Sequence, residues 1–420
     1  MAYVSTQPGL VSVIDTATNT VTATIPVGGI SEGLVALPDG SQVFLADGNS
    51  GQVVVIDTAT NTIIARIPIG TFPAVLRITP DGSRLYVSDL VLGQLNVLDI
   101  ATNTIIATPI ASGASIRSIK VTPDGSRVYA GDLVGHVFVI DTASNTVLTS
   151  FAVARADALA ITPGGASGYV TQSLLGQLQQ FSTTTNSVTA TIPLPGPLAI
   201  ANPLGITITP DGGTGYVSDG NNSLVDVFDT ATNTLVGSPI PVGRAPADIA
   251  VTPDGSSVYV TSLLTTNVSV IDTSTNTVTA TVALSGTSNF LTIANLTAPF
   301  AAFTIDNLVI NNNLHEQGDF TLGPNTGGID LAHQPLTLTV NNFSLTIPAG
   351  SFRQVGGNMH FVFNGTVNGF KVNFNLQAEH GSSTQFDFGF DVHGVSIGGP
   401  NPANVSLKIG HNSGSTTAPF

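Results

Sequence analysis

Carboxylates and hydroxyls are the commonest reactive groups in this sequence, and they recur in a fixed pattern. The hexad D-T-A-T-N-T starts at Asp15, Asp57, Asp99 (with Ile100), Asp141 (with Ser144), Asp229 and Asp272, and appears as S-T-T-T-N-S at Ser182. A catalytic constellation is needed once, so a carboxylate present in nearly every copy reads as a turn former. Its oxygens bond nearby backbone, and the following Asn tolerates left-handed backbone. The basic residues are less regular. Arg77, Arg117, Lys120, Arg155 and Arg244 fall on one recurring strand or the loop entering it, and Arg77 and Lys120 occupy equivalent positions where other copies carry Val35, Ala160, Thr207 and Ala250. Clustered cations in an acidic protein are candidates for binding an anion or carboxylate. The competing reading pairs them with Asp47, Asp89, Asp132, Asp157, Asp219 and Asp248. His136, close to Asp132, could be a general base oriented by a carboxylate, or a surface histidine. Asp132 and His136 are therefore the catalytic candidates only if the chain is an enzyme.

Other chemistry is sparse. The chain has no cysteine, which excludes disulfides, thiolate zinc sites and thiol nucleophiles. There is no H-E-x-x-H, Gly-x-Ser-x-Gly, P-loop or dinucleotide fingerprint. Asp47-Gly48-Asn49 and Asp219-Gly220-Asn221 resemble calcium loops but lack the later bidentate Glu. His315, His333, His360, His380, His393 and His411 lie in the C-terminal region without metal-ligand spacing. No metal site and no cofactor are expected. Three sequons, at Asn267, Asn342 and Asn364, are weak signals in so Asn- and Thr-rich a chain.

The elements that must position these residues form a repeat, clearest from Ile78 to Ile110. T-P-D-G at Thr79–Gly82 sets a tight turn, with proline fixing φ and Gly82 accepting positive φ. Leu85-Tyr86-Val87 is a strand, Leu95–Leu98 the next, and Ile105-Ile106-Ala107 follows the hexad turn. Hexads are spaced 42, 42, 42, 41, 47 and 43 residues apart, giving seven copies, whereas the turn prolines (Pro38, Pro80, Pro123, Pro163, Pro210, Pro253) number six. The first copy opens on Tyr3-Val4 and lacks its first strand, which Phe290–Ala294 would supply by closing a ring. Four-stranded units with apolar faces must stack on one another, as in a seven-bladed β-propeller.

The motif T-P-D-G-S-x-x-Y-V-T…V-S-V-I-D-T-x-T-N-T-V-T-A-T, clearest over 252–281, resembles the YVTN-type propeller repeat of surface-layer and secreted proteins. The resemblance spans about residues 1–295 and implies the fold; propellers of this kind host hydrolases, lyases, carriers and adhesion modules alike. The absence of Trp argues against the WD40 type. The expected architecture is all-β: a seven-bladed propeller over 1–297, with four-stranded blades and a closing strand near 290–294. An antiparallel β-sandwich or jelly roll follows over 298–420, with period-two runs such as Leu336–Val340 and Phe386–Phe390 and a flexible tail from about 410. Copy five is eroded (Gly164, Ser182, Gln179-Gln180). Behind it Pro193–Pro203 forms an insertion, read as a lid, a docking loop or a neutral surface addition.

Net charge is −15, with eight basic against nineteen acidic residues in the propeller and three against seven beyond it. This disfavours nucleic acid and anionic membranes as partners. No run reaches the apolar length of a membrane span. Three lysines in a Thr- and Asn-rich β chain point to an extracellular or cell-surface location, with a signal peptide trimmed from this chain. The expected role is a non-catalytic binding or assembly module, engaging protein or glycan partners at the propeller's top face, with self-association as a further mode. The alternative is a small-anion binder, or a hydrolase or lyase, at the top of the channel.

Overall fold

The computed structural model describes the chain except residues 30, 112–114, 195–200, 295–297, 311–312, 323–335, 342, 348–350, 355–359, 368–369, 379–384, 394–402, 410–411 and 419–420. It separates into two compact units, Met1–Asn295 and Leu296–Phe420.

The first unit is a ring of seven antiparallel sheets, the blades. In blade three the strands are Pro73–Ile78, Arg84–Asp89, Gln94–Asp99 and Thr104–Ala111, each paired with the next in sequence. The first strand of blade one is Ser288–Ile293, which pairs antiparallel with Ala2–Thr6. Neighbouring first strands meet all the way around, so they line a central channel. The ring is sealed where the count of prolines and hexads placed the seal. Blade six departs slightly: its outermost strand is split into Thr234–Leu235 and Ile240–Pro241.

The repeat residues account for the packing. In each second strand an apolar run is buried on both faces, as in Leu85, Tyr86 and Val87. The hexad Asp accepts the N–H two or three residues on: Asp57 Oδ1 from Thr60 and Asp99 Oδ1 from Thr102, both at 2.8 Å. Its Asn lies at φ of 53° to 56°, from Asn19 to Asn276. The Thr after the Asp ties the two turns of a blade together: Thr58 Oγ1 donates to the Gly40 carbonyl and Thr142 Oγ1 to that of Gly125, each at 2.6 Å. Gly82, at φ +72°, would place a Cβ against Leu37 and Pro38 of the preceding blade, so this turn also packs across the blade boundary.

Between blades, each second-strand tyrosine reaches the hexad Asn of the next blade. Tyr3 bonds Asn61, Tyr86 Asn145, Tyr129 Asn186 and Tyr169 Asn233 at 2.8 Å, and Tyr216 bonds Asn276 at 2.7 Å. Tyr259 bonds Asn19 across the seal. Blade two carries Phe44 at this position and has no hydroxyl to offer Asn103. Burial raises the phenol pKa values, those of Tyr216 and Tyr259 to about 12, so all are neutral donors.

The second unit is one ten-stranded sheet. Leu336, Leu338, Leu345, Ile347 and Leu407 from one half share a single buried cluster with Val372, Phe374, Phe386, Phe390 and Val392 from the other. A sheet whose two halves enclose one core is folded over as a sandwich. The tail expected from about 410 is corrected here. Asn412–Ala418 is a strand, antiparallel to Ala403–Ile409 and touching Ala298–Pro299 in parallel. Its Gly, Ser and Thr content carries no apolar signature, but ladder pairing needs only backbone N–H and C=O.

Candidate functional site

The loops joining second to third strands form one rim of the propeller, and in blades two, three, four and six their geometry rests on a buried carboxylate at the end of the second strand: Asp47, Asp89, Asp132 and Asp219. Asp89 Oδ1 accepts the amides of Val91 and Leu92 at 3.0 and 2.9 Å, while Oδ2 accepts those of Thr71 and Phe72. Together these bonds hold its pKa below the usual carboxylate range against the effect of burial. Asp132 Oδ1 accepts Val134, Gly135 and His136 amides at 3.0, 2.7 and 2.8 Å. Asp219 Oδ1 accepts Asn202, Asn221 and Asn222 amides. Among the described residues none of these three acids pairs with an Arg or Lys: backbone N–H groups take the Oδ1 of each and the Oδ2 of Asp89, while Asp219 Oδ2 accepts the Asn222 side-chain amide. The spacing of each Asp from the loop it caps was a usable signal.

On this scaffold the rim exposes aliphatic side chains. Val91 is 65% exposed and Leu92 49% in blade three, Val134 70% in blade four, and Leu174 70% and Leu175 53% in blade five. Leu263 and Leu264 repeat the pattern in blade seven, whereas blades two and six carry Gly48-Asn49-Ser50 and Gly220-Asn221-Asn222 there. An arc over three consecutive blades is therefore apolar where burial cannot explain it. A polarity profile of these loops alone would have revealed it.

Asp132 and His136 are brought together. His136 Nδ1 lies 3.2 Å from Asp132 Oδ2, with the imidazole half exposed and the carboxylate fully buried. A carboxylate orienting a solvent-facing imidazole is competent for proton transfer, but no nucleophile or oxyanion donor converges on it among the described contacts.

The five cations separate. Arg155 Nε pairs with Asp157 Oδ1 at 2.5 Å, the only Arg or Lys ion pair among the described residues. Arg117 and Arg244 are exposed; the Arg117 charge partly offsets the burial that raises the Glu32 pKa. Only Arg77 and Lys120 gather, in the channel, with Asp248 from blade seven. Arg77 lies opposite Tyr86 and Lys120 opposite Tyr129, one pair short of the T-P-D-G turn. Their Cα atoms thus belong to the turn half of the channel rather than the loop-rim mouth expected from sequence, because each stands fifth on a six-residue strand that enters from that mouth.

Of the remaining sequence features, the stretch 195–200 of the Pro-rich insertion and His333, His380 and His411 lie outside the described residues. Among the described residues no three metal-ligating side chains cluster. The described residues also contain no helix long and apolar enough to cross a membrane.

No family model and no curated relative matches the chain. Among solved structures it is similar to Kuenenia stuttgartiensis hydrazine synthase, at 22% identity and a TM-score of 0.58, over 64% of this chain and 92% of that one. A likeness at that identity speaks to the fold alone, an all-β assembly of four-stranded blades.

Proposed function

We propose that this chain is a YVTN-type, extracellular or cell-surface binding module whose propeller docks a protein partner on the second-to-third-strand rim. The observation that carries the reading is the aliphatic arc of Val91, Leu92, Val134, Leu174 and Leu175. Single exposed apolar residues are ordinary, but a group repeated on the same loop of three consecutive blades, two of those loops held by the buried caps Asp89 and Asp132, has the character of an interface core. A protein fits the rim better than a glycan. All six tyrosines are buried in the blades and the chain has no Trp, so the rim offers none of their amphipathic rings for stacking on sugars. The regular turns of the opposite rim repeat from blade to blade and so serve the ring rather than a partner. No catalytic step is assigned.

The test is a photo-crosslinking residue at 91, 174 or, on the opposite rim, at 101, in chain displayed on cells. A discrete adduct from 91 and 174 but not from 101 is the expected result. Adducts equally frequent at 101, or none at 91 and 174, would sink the proposal.

A further inference from the structure

Within the channel, three charged side chains depart from the repeat. The fifth first-strand position is Val35, Arg77, Lys120, Thr207 and Ala250 in blades two, three, four, six and seven; Asp248 sits two residues before Ala250. Blade seven is three blades from blade four in one direction and three from blade three in the other, so Asp248 projects from the side opposite the two cations. We infer that the channel binds a small monocarboxylate between Arg77 and Lys120.

The argument rests on donors left unspent. Arg77 Nη1 donates to the carbonyl of its neighbour Leu76 at 2.6 Å, and the guanidinium makes no other hydrogen bond among the described residues. The Lys120 ammonium makes none there. Asp248 does not satisfy them. Its Oδ1 accepts the Ile249 amide and its Oδ2 the Leu291 amide, both at 3.0 Å, and neither cation approaches it to ion-pair distance. All three side chains keep intermediate solvent exposure, so water reaches them, yet each lies deep in the ring. Two neighbouring cations in such a space repel, and water is a poor substitute for an anion there.

Burial and the Arg77 charge push the Lys120 ammonium down to about 7, partly opposed by Asp248, while Arg77 stays charged despite the same pull downward. Asp248 is pushed up by burial and back down by its two amides and the two cations. Arg77 and Asp248 are the charged groups acting on Lys120. Two positive charges against one negative leave room for a single anionic charge. The planar guanidinium fork, with its remaining N–H groups in one plane, favours a carboxylate over a spherical ion. Binding would restore the Lys120 proton, so affinity must fall as pH rises through 7, by up to tenfold per unit above it.

The experiment is calorimetric titration of the full chain with acetate at pH 6 and pH 8.5, in two buffers of different ionisation enthalpy. One site per chain, at least tenfold tighter at pH 6, with proton uptake on binding at pH 8.5 and almost none at pH 6, is expected; methyl acetate should give no heat. Arg77→Gln and Lys120→Met should each abolish binding, whereas Leu174→Asp on the rim should leave it intact. Equal affinity at both pH values, binding that survives both channel variants, or sulfate binding in preference to acetate would overturn the inference. Should a channel variant fail to fold, the proton uptake of the unmodified chain still decides.

Discussion

Replacing Asp226 with Asn should stabilise the propeller at neutral and alkaline pH and change little in acid. Asp226 lies on the third strand of blade six opposite Val217, so it shares a face with Asp219 two residues along. It is 2% exposed, and its Oδ2 has no hydrogen-bond partner among the described residues. The same position in blade three is Asn96, opposite Val87, whose Nδ2 donates to the Ile69 carbonyl at 2.9 Å. In blade seven Ser269 Oγ accepts the Gly243 amide. This position therefore faces the backbone entering its own blade, and an ionised carboxylate has nothing to donate to it.

Burial, with the Asp219 carboxylate adding repulsion, raises the Asp226 carboxyl from 3.8 to about 7. A folded-state pKa above the unfolded one means that the folded chain holds the extra proton. Stability therefore falls as pH rises from about 4 to about 7 and is flat beyond. A shift of roughly three units corresponds to at most about 4 kcal/mol at pH 8. Asn removes the titration and adds a donor of the kind Asn96 uses. Melting of Asp226→Asn against the parent should show a gain of up to about 8 °C at pH 8 for the propeller transition, shrinking toward nothing at pH 4. A gain equal at both pH values, or a loss at pH 8, would show that the carboxylate is not the burden deduced here.

The stitching between blades makes further predictions. Tyr86→Phe should lower propeller stability by about 1 kcal/mol through loss of the bond to Asn145, while Phe44→Tyr, reaching toward Asn103, should raise it by a similar amount, both read by denaturant midpoints at constant slope. No change in either variant would mean that the hydroxyls are better served by water. Leu291→Pro removes the amide that Asp248 Oδ2 accepts and places proline in the closing strand; a cost of at least about 3 kcal/mol is expected, with a broadened melting transition as the ring opens. An unchanged, equally sharp melt would mean that the seal carries little of the ring's stability.

Much of the propeller was legible because its signals are local and recur. The T-P-D-G and D-T-x-T-N-T turns state their backbone requirements in residue type, and the one missing proline turn against seven hexads located the seal. What escaped were relations between copies. The Tyr hydroxyl and the hexad Asn lie about 58 residues apart in sequence (Tyr3 and Asn61) and become partners only when blades stack. The depth of Arg77 and Lys120 depends on counting from the correct end of the strand, which the alternating pattern does not reveal. The Asp caps of the rim were visible, but their acidity drew attention to distant cations when the nearest donors were amides two to four residues away. In the second unit the strand Asn412–Ala418 escaped because backbone pairing leaves no apolar mark.

The repeat also indicates where function can reside. Every blade must present the same turns and, where it has one, the same tyrosine to its neighbour, so those positions are held by the ring and have little freedom to serve a ligand. The second-to-third-strand loops and the channel face of the first strands carry no such obligation beyond the Asp cap of four of the loops, and they are where the copies diverge. Blades three and four combine both kinds of departure: Arg77 and Lys120 inward, and Val91, Leu92 and Val134 on the rim. Apolar side chains kept in water and cations left without an ion-pair partner both cost free energy that a purely structural ring could avoid at no loss. Their concentration in adjacent blades is the reason to seek binding there, with the rim and channel variants separating a macromolecular partner from a small anion.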